Sequence, residues 1–120
     1  MRRRRERGQA TVEVALALPI LVMLLLAAVQ VTLVVRDQLA VVHAAREAAR
    51  AAAVSTDPRA DGSAAAREAV ALGDLDVSIE AGAARVRTTV RHVVHTDVPL
   101  IGALIPDVHV TGTATMRVEP

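Results

Sequence analysis

Few side chains in this sequence could do chemistry, and most are badly spaced for it. Four histidines, His43, His92, His95 and His109, are the candidate imidazole ligands, and no Cys accompanies them. His92 and His95 lie three apart in an alternating stretch, so a regular strand sends them to opposite faces and they cannot share one metal ion. They read as surface histidines. Ser55, Ser63 and Ser78 lie in no nucleophile setting, and "VTGTATM", which contains Gly112, lacks the pattern of a phosphate-binding loop. Arg85, Arg87 and Arg91 share one face of a strand without interleaved aromatics, as on a solvated sheet surface. The expectation is a protein that is not an enzyme, with no catalytic residue, no cofactor, no metal, no nucleic acid and no small-molecule substrate. The exception is Glu13 in "RERGQATVEVALALP", a carboxylate at the mouth of a long apolar run. Such a charge is either a tolerated interfacial group or one that must meet a partner.

The run itself, "VALALPILVMLLLAAVQVTLVV" from Val14 to Val35, holds no charge and is interrupted only by Pro19, Gln30 and Thr32. At about 1.5 Å per residue it covers a hydrocarbon core of about 30 Å, which implies a membrane-spanning helix. The rest of a 120-residue chain could not wrap a helix that is apolar all round. A signal peptide has the same charge order but a shorter core. Arg2, Arg3, Arg4, Arg5 and Arg7 precede the run, whereas Arg36 beyond it is balanced by Asp37. The positive-inside rule then puts the N-terminus in the cytoplasm and the C-terminal region outside the cell membrane, in a single-pass arrangement. Pro19 removes one helical hydrogen bond, to the carbonyl of Ala15, and should kink or loosen that turn. Gln30 reads as a passive polar residue near the outer leaflet.

Composition agrees with an unusual setting. The chain is 52% hydrophobic with no aromatic residue, and its formal net charge is +1. All 14 basic residues are Arg, a bias that points to a high-GC bacterium.

Beyond the membrane, "RDQLAVVHAAREAARAAAV" continues the helix over residues 36–54 with Val41, Val42, Ala45, Ala48, Ala49 and Ala52 on one side. Arg36, His43, Glu47 and Arg50 take another. "TDPRADG" is expected to be a loop, with Gly62 supplying freedom and Ser63 capping a short helix, "AAAREAVAL", that stops at Gly73. The last third alternates: "LDVSIE", "RVRTTVRHVVH" and "VHVTGTATMRV" are three candidate strands, the first two joined as a hairpin around Gly82. The fold class is α+β and membrane-anchored, with a long helix, a short helix and a small antiparallel sheet whose apolar face the alanine-rich side of the long helix covers. The boundaries read 1–8 for a basic leader, 9–35 for the transmembrane helix, 36–55 for its outer continuation, 56–73 for loop and short helix, and 74–120 for the β region.

One connection stands apart. "VPLIGALIP" contains Val98, Pro99, Leu100, Ile101, Leu104, Ile105 and Pro106 and carries no charge. It either folds over the open edge of the small core or is a contact with a neighbouring subunit or the membrane surface.

The order of basic leader, Gly8, "QATV", Glu13 and apolar helix is that of a type IV prepilin. More closely, "RGQATVEVALALP" resembles the N-terminus of TadE-like proteins, pseudopilins of tight-adherence (Flp-type) pilus systems, in their actinobacterial style. "HAAREAARAAA" at 43–53 is similar to the segment that follows the membrane helix in that family, and "VTGTATMRVE" looks like its closing strand. The resemblance implies a pilin-like fold and cleavage by a prepilin peptidase after Gly8. Gln9 then becomes the first mature residue and Glu13 the fifth, where it sets subunit register by pairing with a neighbour's amine. It further implies as partners other pseudopilins or the pilin and inner-membrane platform proteins of the Tad apparatus. Val14 stands where major Flp pilins commonly have Tyr, and the outer region is larger than theirs, so the resemblance implies a minor pseudopilin. The alternative is an uncleaved single-pass signal-anchor protein whose small extracytoplasmic domain binds a ligand or envelope component.

Overall fold

Alanine, leucine, valine and arginine dominate residues 2–54, and nothing after Gly8 except Pro19 opposes a helix. The computed structural model describes residues 2–119, with side chains from Gly8 onward; Met1 of the leader and Pro120 of the β region lie outside the described residues. Within them, α1 runs unbroken over Arg2–Val54, with Pro19 inside it. The helix therefore starts within the arginine-rich N-terminal stretch. Arginine is a good helix former, and the backbone at Gly8 is helical rather than extended.

The second helix starts earlier than the sequence suggests. α2 spans Pro58–Ala69, with Asp57 as its N-cap and Pro58 in its first turn. Pro58 keeps Asp57 out of the helical region (φ −122°, ψ 79°), which ends α1 and frees the Asp57 carboxylate to accept from the Ala60 amide at 3.2 Å. Ser55 braces the turn, its Oγ accepting from the Asp57 amide at 2.9 Å and donating to the Asp61 carboxylate. Gly62 and Ser63 thus lie inside α2, and the helix ends at Ala69 with Val70 extended, ahead of Gly73. Asp57→Ala should remove about 1 kcal/mol of cap stabilisation. Amide hydrogen exchange in the first turn of α2 is expected to speed up roughly fivefold, while residues 85–94 keep their protection.

Gly62 has a packing role. A Cβ there would meet Ile79 Cδ1 at 2.5 Å, the Ala48 carbonyl oxygen at 3.1 Å and Ala52 Cβ at 3.2 Å. The glycine lets α2 lie directly on α1; a Cβ there would require the Ile79 side chain to turn away and its α1 neighbours to give by a few tenths of an ångström.

Three strands follow, β1 (Asp76–Ala81), β2 (Arg85–Val94) and β3 (Val108–Arg117), in the order β1-β2-β3 with both pairings antiparallel. The register puts one apolar row across the sheet: Val77 opposite Val90, Ile79 opposite Thr88, Thr88 opposite Ala114, and Val94 opposite Val108. Against this row α1 presents Val41, Ala44, Ala45, Ala48 and Ala52, all buried. Small side chains suit a sheet without aromatics, because the layers must approach closely to exclude water. At Gly112 the approach is closest, since a Cβ there would stand 2.5 Å from the Val41 carbonyl oxygen. Two polar links tie helix to sheet: Gln38 Nε2 donates to the Thr111 carbonyl at 2.9 Å, and His92 Nε2 lies 3.8 Å from Asp37 Oδ2 with both side chains mostly buried.

These elements form one compact unit, residues 33–95 with 107–120. A second unit joins residues 1–32 to residues 96–106. In it, the α1 segment from Gly8 to Val29 has no buried residue, and its apolar window has a mean hydropathy of 2.7. The long apolar helix fits membrane anchoring, because an exposed aliphatic surface of that extent is stable only out of water.

Candidate functional site

Glu13 stands in the first apolar turns of α1, exposed and flanked by exposed Val12 and Val14. Among the described side chains no basic group pairs with it. Among the described side chains its carboxylate thus has no basic partner on a surface that is otherwise aliphatic, and burial in an apolar medium without one would cost several kcal/mol. Gly8 and Gln9 precede it by five and four positions on the same helix. The space around Gly8 is open, with nothing within 4 Å of an added Cβ. Helical geometry places Gln9 one turn, about 6 Å, below Glu13. Gly8 is also the weakest helix former of this stretch, so unwinding starts most cheaply there.

Pro19 lies about a turn and a half beyond Glu13, where the Ala15 carbonyl lacks its usual helical donor. Around it Val14, Ala17, Leu18, Leu21 and Leu24 line a shallow apolar concavity on the exposed helix. Thr32 is satisfied within the helix, donating to the Ala28 carbonyl at 2.9 Å.

Gln30 is not a passive polar residue. It is 3% exposed, and its Nε2 donates to Thr96 Oγ1 at 3.3 Å. Thr96 in turn donates to the Pro106 carbonyl at 3.3 Å, which closes the 96–106 connection at its base. The apolar segment 98–106 thus belongs with residues 1–32. Within it Ile101 is buried while Leu100, Leu104 and Ile105 are exposed. Gln30 is visible in the sequence as an interruption of the apolar run, but Thr96 is not, and the two lie 66 positions apart.

The remaining polar residues are dispersed. His95 Nδ1 contacts Asp107 Oδ2 at 3.0 Å on an exposed edge, His43 and His109 are exposed, and His92 is nearly buried against Asp37 rather than at the surface. His92 points inward because its position in β2 falls on the apolar row, opposite Val110. Among the described residues no group of three His, Cys, Asp or Glu comes together in a way that could hold a metal ion. Arg85, Arg87 and Arg91 are exposed on the outer sheet face, Arg91 lying 3.7 Å from Asp76.

Compared with known proteins, residues 8–50 match the family model described as TadE-like protein. The match opens on Gly8 and runs through Glu13, the apolar helix and most of its continuation over the sheet. No curated protein and no solved structure gives a significant match to the chain.

Proposed function

From the match of residues 8–50 to the TadE-like family model, we propose that the chain is a non-catalytic minor pilin or pseudopilin of a Tad pilus system. The family assignment links the chain to such systems and to their membrane-bound components. The observation that supports the finer role is Glu13, a carboxylate with no basic partner among the described side chains, five residues after Gly8 and at the foot of an exposed apolar helix.

In this reading the N-terminus faces the cytoplasm, where leader arginines sit against anionic lipid. A prepilin peptidase cuts after Gly8. Glycine contributes by the low cost of unwinding α1 locally and by leaving the protease cleft free of side-chain bulk. Cleavage frees the amine of Gln9. Helices packed side by side with an axial offset bring the amine of one subunit to Glu13 of the next, so the charge left unpaired in the monomer is neutralised in the assembly. The outer unit supplies the extracytoplasmic surface for other pseudopilins, pilin or platform proteins. No residue acts as a catalyst.

The test is the mass of the mature chain produced with and without an active prepilin peptidase. Loss of residues 1–8 only in its presence is the expected result. An intact chain in both cases would favour the signal-anchor reading instead.

A further inference from the structure

We infer that residues 98–106 form a second membrane contact, a turn that inserts into the outer-leaflet interface beside α1. This rests on α1 being the membrane span. Gln30 stands 17 positions beyond Glu13, about 26 Å along the helix, within a hydrocarbon layer of about 30 Å. With Glu13 at the inner boundary, Gln30 lies just inside the outer one. Its hydrogen bond to Thr96 holds the start of the connection at that depth.

The segment has the properties that this location demands. It carries no charge between Asp97 and Asp107. Much of its backbone is paired within the turn: the amides of Ile101 and Gly102 donate to the carbonyls of Pro99 (2.8 Å) and Val98 (2.9 Å), and those of Leu104 and Ile105 both donate to Ile101 (2.9 Å). Internal pairing is what allows irregular backbone to leave water. Gly102 permits the tight form, because a Cβ there would collide with the Thr96 carbonyl oxygen.

In water the same turn would be costly. Leu100 is 63% exposed and Leu104 70% exposed, and Leu100 also holds a left-handed backbone (φ 67°) that a branched side chain adopts at a penalty. Lipid resolves the exposure, continuing the aliphatic surface that Leu25 and Val29 already present on α1 in the same unit. The ligand is the bilayer itself, and the contact is apolar rather than headgroup-specific.

The chain has no Trp, Tyr or Phe, so a single Trp reports its own surroundings. Leu104→Trp and, separately, Leu24→Trp would be placed in the full chain and reconstituted into phosphatidylcholine–phosphatidylglycerol vesicles. Leu104→Trp should show blue-shifted emission that is strongly quenched by lipid brominated high on its acyl chains and weakly by lipid brominated near the bilayer centre. Leu24→Trp should reverse that preference. Water-like, unquenched emission from Leu104→Trp beside a quenched Leu24→Trp would overturn the turn insertion and leave the span standing. Blue-shifted but unquenched emission from Leu104→Trp would overturn it in favour of a second protein chain. If neither tryptophan is quenched, the span fails and the inference fails with it.

Discussion

Gly112→Ala is expected to loosen the helix–sheet unit by about 3 kcal/mol, at the upper end of overpacking costs. The added Cβ would fall 2.5 Å from the Val41 carbonyl oxygen, 2.6 Å from the Val41 carbonyl carbon and 2.7 Å from the Val42 nitrogen. All three are backbone atoms in the middle of α1, so no rotamer change can make room. Either the helix lifts off the sheet or β3 retreats, and both expose Val41, Val90 and Val110, which form one buried cluster. A small core has little stability to lose. Amide exchange in β2 and β3 of the full chain should therefore accelerate roughly a hundredfold. Gly73→Ala is the matched control: nothing lies within 4 Å of its added Cβ, and its exchange pattern should stay that of the parent chain. Equal behaviour of the two variants would show that α1 does not pack on β3 through Gly112.

Glu13→Gln is expected to abolish pilus assembly or secretion while leaving membrane insertion and leader removal intact. The substitution keeps the shape of the side chain and removes its charge. The Gln9 amine of a neighbouring subunit would then enter the apolar layer unpaired, and breaking one side of a buried pair costs about 3 to 5 kcal/mol. At 1.4 kcal/mol per factor of ten, that is more than a hundredfold in each subunit addition. Glu13→Asp retains the charge on a shorter arm and should restore part of the function. Surface piliation or export, read beside the mass of the mature chain, separates the two steps. If Glu13→Gln assembles as well as the parent, charge pairing does not set register; the match of residues 8–50 to the TadE-like model would be unaffected.

Both predictions turn on residues whose importance the sequence conveys unequally. Glu13 is conspicuous because a carboxylate in an aliphatic run violates the local pattern. Gly112 is inconspicuous because a glycine in an alternating strand has several ordinary explanations, and the helix backbone that crowds it is some 70 positions away in the chain. Gly62 was misleading for the same reason. A glycine near Asp57 and Pro58 reads as a loop, yet Pro58 begins α2 and the glycine admits the packing of α2 on Ala48 and Ala52. His92 shows the converse: alternation places it on the inward row, but an isolated histidine looks like a surface residue until Asp37 is found opposite it.

What the sequence determined by itself is everything governed by short-range periodicity and transfer energy. The length of the apolar run, the unbroken helix-forming composition through Val54, the stop at Pro58 and the three alternating strands each follow from a few neighbouring residues. The TadE-like region lies in the same class, since its marks fall within residues 8–50. Tertiary structure alone decided the pairings between distant positions. Gln30 with Thr96, His92 with Asp37, and Gly112 beneath Val41 depend on where chain segments meet, and a hydrogen bond or a close backbone approach leaves no periodic trace in either partner. The placement of residues 98–106 with the membrane helix belongs to that second group. An apolar stretch states only that it avoids water; Gln30 and Thr96 decide where it goes.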